Sequence, residues 1–563
     1  MSAPAAPDVA ALVAEAAADL PSSLAVVETS GRGVTWSELD AEVSRVATGL
    51  GRAGIVAGHR VMLALGNRIE FVTAYLGVLR AQAVAVPVNP GSAVPELARM
   101  IDDSGARLVV ADAATVDAVR AALAIAGSRG NGTGEPGTGE PGTGEPGTGE
   151  PDTGETGTGE TGAAHSPGCR LVLVEGDGAA VVGPDETTFH ALRDVEPESV
   201  PPLPDPEKLA VLLYTSGTSG EPRAAMLSHR ALLANVAQVA GVEPPMIRGD
   251  DVVLGVLPLF HVYGLNAVLG GVISHRAKLV LADRFDPEGT LDVIEDEACS
   301  VVPVAPPVFA HWLGMEALAE RLGPVRMMLS GSAPLSAETV QAFEAAGEVP
   351  VHQGYGLTEA APVVTTTLRS ADPKPGSVGA ALDGIELRLV DDWDRPFPAD
   401  AGDDPGQIQI RGANLFSGYW PDGADGPDPD GWWSTGDVGF LDADGDLFLV
   451  DRVKDLIIVS GFNVYPFEVE SVIAETPGVR AAAVVGAPDR LTGEAVVAYV
   501  VPEAASEPAA VIDAVSARCA AQLAGFKQPT RVEVVEALPR TVTGKVRKGV
   551  LRGVARRSRD GLL

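Results

Sequence analysis

The chain has 563 residues, 46% of them apolar and 21% charged, and it carries a formal charge of −35. That length exceeds one ordinary domain and suits roughly three or four compact units with ample material for buried cores. So acidic a chain lacks the clustered Lys and Arg from which nucleic-acid binding draws its affinity, and a nucleic-acid partner is not expected.

Basic residues gather only at the end, where eight Lys or Arg stand against one Asp from Arg540 onward. That tail suits a polyanionic ligand or a solvated surface. Cys169, Cys299 and Cys519 are too few and too scattered for a disulfide framework or a zinc site. The opening "MSAPAAPDVAALVAEAAADL" has acids and no basic n-region, so it does not read as a secretory signal. No uncharged apolar run reaches the roughly 18 residues of a spanning helix. The expected location is the cytoplasm, with no transmembrane segment.

Taken in chain order, "SELDAEVSRVATGL" (37–50) places Leu39, Val43, Val46 and Leu50 on one helical face, with Ser37 as the expected N-cap. There follow a strand at 60–65, a helix near 68–80, a strand at 83–88, a short helix and a strand at 106–112. Strands alternating with helices imply parallel pairing and a doubly wound sheet. The pentad GTGEP then repeats four times and decays into "DTGET" and "GTGET". A tract of Gly, Thr, Glu and Pro cannot bury enough surface to offset its ordering entropy, so residues 129–162 are expected to be a disordered surface insertion, or alternatively an acidic interaction segment. The alternation resumes through strands at 170–176, 208–214, 251–261, 278–285 and 325–335. Around 378–450, "IELRLV", "GQIQIRG" and "GDLFLVD" suggest a smaller antiparallel unit. Beyond Asp451 a compact α+β module is expected, with strands at "AAAVVGAPD" and "AVVAYVVPE" and a helix near 508–523.

Four stretches carry chemistry. In "LLYTSGTSGEPRAAMLSH" (212–229), Thr215, Ser216, Gly217, Thr218, Ser219 and Gly220 can point backbone N–H groups and hydroxyls at phosphate oxygens after a strand. Alone, the stretch also reads as an ordinary turn, and Pro222 and Arg223 after Gly220 rule out the Gly-x₄-Gly-Lys-Ser/Thr phosphate loop. "HQGYGLTEAAP" (352–362) offers an aromatic ring, flanking glycines, the Thr358 hydroxyl and the Glu359 carboxylate, which suits Mg²⁺. "STGD" (434–437) supplies Asp437 for ribose hydroxyls, with Arg452 and Lys454 at the following boundary. "LPRTVTGKVRK" (538–548) sets Lys545 after a Thr-Gly turn.

In this order the four stretches resemble the adenylate-forming superfamily of acyl-CoA synthetases, nonribosomal adenylation domains and luciferases, over essentially the whole chain apart from the pentad tract. The resemblance implies an α/β fold: a large N-terminal domain (1–451) of doubly wound sheets with a small antiparallel barrel-like unit, then a small mobile α+β domain (452–563) hinged near Lys454. By that likeness the loop from Thr215 to Gly220 holds the ATP phosphates, with Thr215 and Glu359 near Mg²⁺. Gly331, Ser332 and Ala333, together with Gln353, Gly354, Tyr355 and Gly356, frame the adenine; Thr358 reaches the α-phosphate and Asp437 the ribose. Arg452 and Lys454 contact the nucleotide side, Gly461 lets a pantetheine arm approach, and Lys545 is the adenylation lysine, an electrostatic donor whose loss costs on the order of 100-fold or more. The implied reaction uses ATP, Mg²⁺ and CoA: a carboxylic acid becomes an acyl-adenylate, and a thiol then displaces AMP.

At the place where an amino-acid-activating relative needs a buried carboxylate for the substrate ammonium, the chain reads "LPLFHVYGLNAVLGGV" (257–272) with His261 and no acid. His261 either gates an apolar acyl site or is a structural histidine. "VSGFNVYPFEVE" resembles bacterial fatty acyl-CoA ligases. The expected activity is fatty acid–CoA ligation, with an aryl-acid (coumarate-like) CoA ligase or an acyl-AMP ligase loading a carrier protein as alternatives, and a degenerate ligand-binding homologue as a non-enzymatic one. Arg223 replaces the usual lysine, Ala224 the usual glycine, and Ile458 another lysine, while Gln82 interrupts a stretch of small residues. Arg keeps the charge, so activity is expected. Lys545 lies in a basic stretch expected to be exposed, where a lysine acetyltransferase would abolish its charge.

Overall fold

The computed structural model describes residues 6–130, 169–175, 183, 186–215, 222–333, 335–391, 393–397, 405–452, 455–459, 462–489, 492–504, 506–523, 525–541 and 544–559. The pentad tract lies outside the described residues, as do Ser216–Gly220, Lys454 and Gly461.

Two mainly parallel sheets dominate the N-terminal part. Among the described residues one has nine strands, its parallel centre running from Leu24–Glu28 through Lys278–Leu281, Val252–Gly255, Val301–Val304 and Met327–Ser330 to Val351–Gly356, with antiparallel strands added at both edges. The other has seven, with Arg60–Ala64 between Val84–Pro87 and Leu108–Ala111. Helices Trp36–Arg52, Ile69–Arg80 and His229–Ala240 belong to the core formed between the sheets. Ile69–Arg80 is buried all round from Ile69 to Leu79, which is why its sequence "IEFVTAYLGVLR" is apolar on every side rather than along one stripe. Separate cores cover the outer faces of the two sheets.

The helix expected from Ser37 begins one residue earlier. Its N-cap is Thr35, whose hydroxyl accepts from the Glu38 N–H while the Glu38 carboxylate accepts from the Thr35 N–H at 2.8 Å. This reciprocal arrangement satisfies two end donors, which Ser37, already inside the first turn, cannot do. Helix Val116–Gly130 likewise takes up the first two residues of the expected insertion. Gln82, flagged as an interruption, adopts φ 57° just past helix Ile69–Arg80, and its amide donates to the Pro201 carbonyl at 3.1 Å. The residue therefore ends a helix at a left-handed position, a task that does not require a small side chain.

Strands Ile385–Val390, Gly406–Gly412, Trp433–Leu441 and Leu447–Arg452 form the antiparallel unit. The C-terminal α+β unit pairs Val479–Asp489 with Gly493–Pro502. Helices Pro466–Ala474 and Pro508–Gln522 pack on one face of that sheet, and the terminal helix Lys548–Arg559 packs on the other through Leu551 and Ala555. No helix among the described residues is long and apolar enough to cross a membrane.

Candidate active site

Strand Leu209–Thr215 pairs antiparallel with Arg223–Ser228, in register Thr215 with Arg223. The phosphate-loop segment therefore joins two strands of one hairpin instead of leading into a helix. That removes the helix dipole from its immediate follow-on and leaves backbone N–H groups, hydroxyls and nearby cations as its means of holding an anion. Thr215 Oγ1 donates to the Arg223 carbonyl at 3.4 Å, a long contact that a stronger ligand can replace.

Glu359 sits in a short 3₁₀ turn, Thr358–Ala360, and is buried. Its Oε1 accepts from the Tyr419 hydroxyl at 2.6 Å, the one hydrogen bond its carboxylate makes among the described residues. One carboxylate oxygen held by the protein and one left over suits a cation whose other ligands are phosphate oxygens, the usual way Mg²⁺ binds beside a nucleotide. Among the described residues no three acidic, His or Cys side chains cluster to hold a metal by themselves.

Strand Val351–Gly356 brings Gln353, Gly354, Tyr355 and Gly356 along one wall. A Cβ at Gly356 would stand 2.3 Å from the Pro362 carbonyl oxygen, so only glycine allows the chain to double back there. The buried Tyr355 turns its hydroxyl to Asp437, donating to Oδ2 at 2.7 Å. Asp437 comes from the antiparallel unit, where its own N–H donates to Thr435 Oγ1 at 3.1 Å. Its backbone pairs opposite Arg452. The expected adenine and ribose residues thus meet through one hydrogen bond.

Gly331, Ser332 and Ala333 follow strand Met327–Ser330. Ser332 holds φ 74°, an uncommon conformation for a residue with a side chain, and a Cβ on Gly331 would lie 2.7 Å from the Tyr263 ring. Tyr263 opens a π-helical segment, Tyr263–Gly270, inside the stretch read from sequence as an apolar wall. Such widened turns often mark functional sites; this one lines the cavity with Tyr263, Ala267 and Val268.

Thr215, Gly331, Ser332, Gln353–Gly356, Thr358, Glu359 and Asp437 border one cavity of about 1640 Å³, whereas Ala333 and Arg452 are not among its lining residues, and the C-terminal unit enters it with Arg540, Thr541 and Lys545. A tight turn holds Lys545, with the Thr541 N–H donating to the Lys545 carbonyl at 2.8 Å and the Lys545 N–H to Thr541 Oγ1 at 3.1 Å. Lys545 is half-buried, not exposed as its basic surroundings suggested, because it faces the cavity. Burial, and after it the charge of Lys545, pushes the His261 imidazole down to about 4, so His261 is neutral near pH 7. Residue separation hid this juxtaposition from sequence reading. Sequence reading also missed Tyr419 and Asp425, whose only signal was the Gly and aromatic pairing in "FSGYWPDGAD".

Residues 13–420 match the family described as AMP-binding enzyme, and residues 468–545 match its C-terminal domain. The chain belongs to the AMP-binding enzyme family. It is 33% identical over 537 residues to 4-coumarate–CoA ligase 5 of Oryza sativa subsp. japonica, covering 93% of this chain and 90% of that protein. ATP-bound MatB from Rhodopseudomonas palustris is 30% identical with TM-score 0.81, covering 97% of this chain and 99% of that one. A Mycobacterium tuberculosis fatty acyl CoA synthetase is 26% identical with TM-score 0.70, covering 98% and 99%. As an AMP-binding enzyme of this kind the chain is an AMP-forming acid–CoA ligase, and ATP, Mg²⁺ and CoA are what its chemistry uses.

Proposed function

We propose that the chain activates an apolar carboxylic acid as its acyl-adenylate and passes the acyl group to CoA. The reading is carried by one arrangement: Lys545 from the C-terminal unit and Glu359, Tyr355 and Asp437 from the N-terminal part border the same cavity.

In the first half, a carboxylate oxygen of the acid attacks the α-phosphorus of ATP and the bond to the β-phosphate oxygen breaks, releasing pyrophosphate. Lys545 offsets the charge that builds on the α-phosphoryl oxygens and Thr358 donates to them. The hairpin loop Ser216–Gly220, with Thr215, holds the departing phosphates. Gly331, Ser332, Ala333 and Gln353–Gly356 border the base, and Asp437 takes the ribose hydroxyls with Arg452 near the nucleotide. Glu359 and Thr215 would hold Mg²⁺, which would supply charge neutralisation of the leaving group. In the second half the CoA sulfur attacks the acyl carbonyl, AMP leaves and the thiol proton passes to solvent. Lys545 borders the cavity in this structure, so to admit the thiol the C-terminal domain, residues 452–563, turns about Lys454, and Gly461 gives the pantetheine arm room.

Neutral His261 and the apolar residues Val239, Met246, Ile247 and Val268 line the acid's end of the cavity. They suit an uncharged acyl body and leave an amino-acid ammonium without a partner. Fatty acids are the substrate expected from "VSGFNVYPFEVE"; aryl acids are the second reading, favoured by relatives such as the 4-coumarate–CoA ligases at 30 to 33% identity. Acetylation of Lys545 by a lysine acetyltransferase would need the C-terminal domain turned away from the cavity, and mass spectrometry of the protein across carbon sources tests it. The deciding assay incubates the enzyme with MgATP and a panel of fatty and aryl acids, with and without CoA, following AMP and thioester. Thioester on fatty acids supports the first reading and thioester on aryl acids the second. Adenylate without thioester indicates a carrier-protein acceptor, and no AMP on any acid refutes the proposal.

A further inference from the structure

Arg223 and Tyr419 have no place in the steps above, yet they form a chain of contacts that ends on Glu359. The Tyr419 hydroxyl donates to Glu359 Oε1 at 2.6 Å. The guanidinium carbon of Arg223 stands 3.9 Å from the centre of the Tyr419 ring, and Arg223 Nη1 meets Asp425 Oδ2 at 2.8 Å. The backbone fastens the same segment on two sides. Met226 N–H donates to the Gly418 carbonyl at 3.0 Å and Trp420 N–H to the Ala224 carbonyl at 2.9 Å, which ties it to the strand leaving the phosphate hairpin. Phe416 N–H donates to the Glu359 carbonyl at 2.9 Å, which ties it to the carboxylate's own backbone. Phosphate hairpin, Tyr419 and Glu359 are therefore one stitched unit.

The chemistry of the chain is directional. A phenol donating at short range to one carboxylate oxygen holds that carboxylate in one orientation and leaves its other oxygen for a cation. A planar guanidinium can lie on the ring face and bridge to Asp425 at once; a lysine ammonium is a point charge on a flexible stem and does one or the other. That accounts for arginine at position 223 better than charge conservation alone.

We infer that Tyr419 is a positioning residue for the Glu359 carboxylate, and that Arg223, clamped by Asp425, positions Tyr419. The inference rests on the reading of Glu359 as the carboxylate beside the nucleotide's metal. Its test uses the full-length protein with a non-hydrolysable ATP analogue and Mn²⁺ as a paramagnetic stand-in for Mg²⁺. Mn²⁺ affinity is read by electron paramagnetic resonance, metal-free analogue affinity by calorimetry, and folding by thermal unfolding. Tyr419→Phe is expected to weaken Mn²⁺ binding about tenfold or more while leaving the metal-free analogue affinity and the unfolding midpoint near wild type. Arg223→Met should weaken Mn²⁺ binding in the same sense, and Arg223→Lys should restore only part of it. Wild-type Mn²⁺ affinity in Tyr419→Phe overturns the inference. Should that variant unfold, the arginine pair decides: wild-type Mn²⁺ affinity in both Arg223 variants overturns it equally. Failure of the unmutated protein to bind Mn²⁺ with the analogue would instead refute the functional reading on which the inference stands.

Discussion

Replacing Tyr355 by Phe removes one oxygen and leaves the ring that borders the nucleotide cavity. The lost contact is the 2.7 Å donation to Asp437 Oδ2. Hydrogen bonds to a charged group contribute about 1.5–3 kcal/mol net. Asp437 is only half-buried, so water can take over part of the vacated bond in the free enzyme, and the lower end of that range applies. About 1.5 kcal/mol converts to roughly a tenfold change in an equilibrium constant. The loss falls on the orientation of the carboxylate that receives the ribose, so it should appear as a roughly tenfold higher KM for ATP. The KM for the acid should move far less, since Asp437 does not face the acyl end. Pyrophosphate exchange at varied ATP, beside thermal unfolding of the ligand-free variant, measures both. An unchanged KM for ATP in a normally folded variant would refute the argument that this hydrogen bond sets the ribose-binding carboxylate.

Lys545→Ala should lower adenylation by about 100-fold or more while sparing thioester formation from a supplied acyl-adenylate; equal loss in both half-reactions would remove Lys545 from the adenylation step. Lys454→Pro should do the reverse by locking φ at the proposed hinge, and normal thioesterification would place the hinge elsewhere. Gly331→Ala puts a methyl 2.7 Å from the Tyr263 ring, so the ring must shift: the profile across acids should change, and an unchanged profile in a normally folded variant would remove Tyr263 from the acyl end. His261 is held down to about 4 by burial and Lys545, and His229 down to about 4 chiefly by burial. The unfolded chain takes up protons at both near pH 6.5 while the folded protein does not, so stability falls as pH drops from about 6.5 to about 4. Denaturant melts over that window should lose slope by one proton, about 1.4 kcal/mol per pH unit, when either is replaced by Asn, and an unchanged slope in both variants would contradict the burial argument.

Much of the fold was legible because its determinants are local. The Leu39, Val43, Val46, Leu50 stripe marks a helix whatever surrounds it, and "GQIQIRG" marks a strand. The misplaced N-cap was also local: Thr35 and Glu38 form the capping pair that Ser37 obscured. The antiparallel strand Arg223–Ser228 was not read, since its sequence "RAAMLS" has no clean alternation: Ala225 and Leu227 join the core between the sheets, Ala224 and Met226 the core on the other face, and the segment ending at Trp420 hydrogen-bonds along its edge. The site divides in the same way. Contiguous motifs put Thr358 beside Glu359 and Gln353 beside Tyr355, but Tyr419 reaches Glu359 across 60 residues and Tyr355 reaches Asp437 across 82.

By itself the sequence determined the order of helices and strands, the family likeness and the chemical types assembled for nucleotide and acid. Tertiary structure alone decided that Lys545 shares a cavity with His261, that this histidine is neutral, and that Arg223 lies on Tyr419 rather than waiting for phosphate. The reason is physical: periodicity and turn chemistry act over a few residues, whereas desolvation and charge pairing depend on which distant segments the stacked sheets bring within a few ångströms.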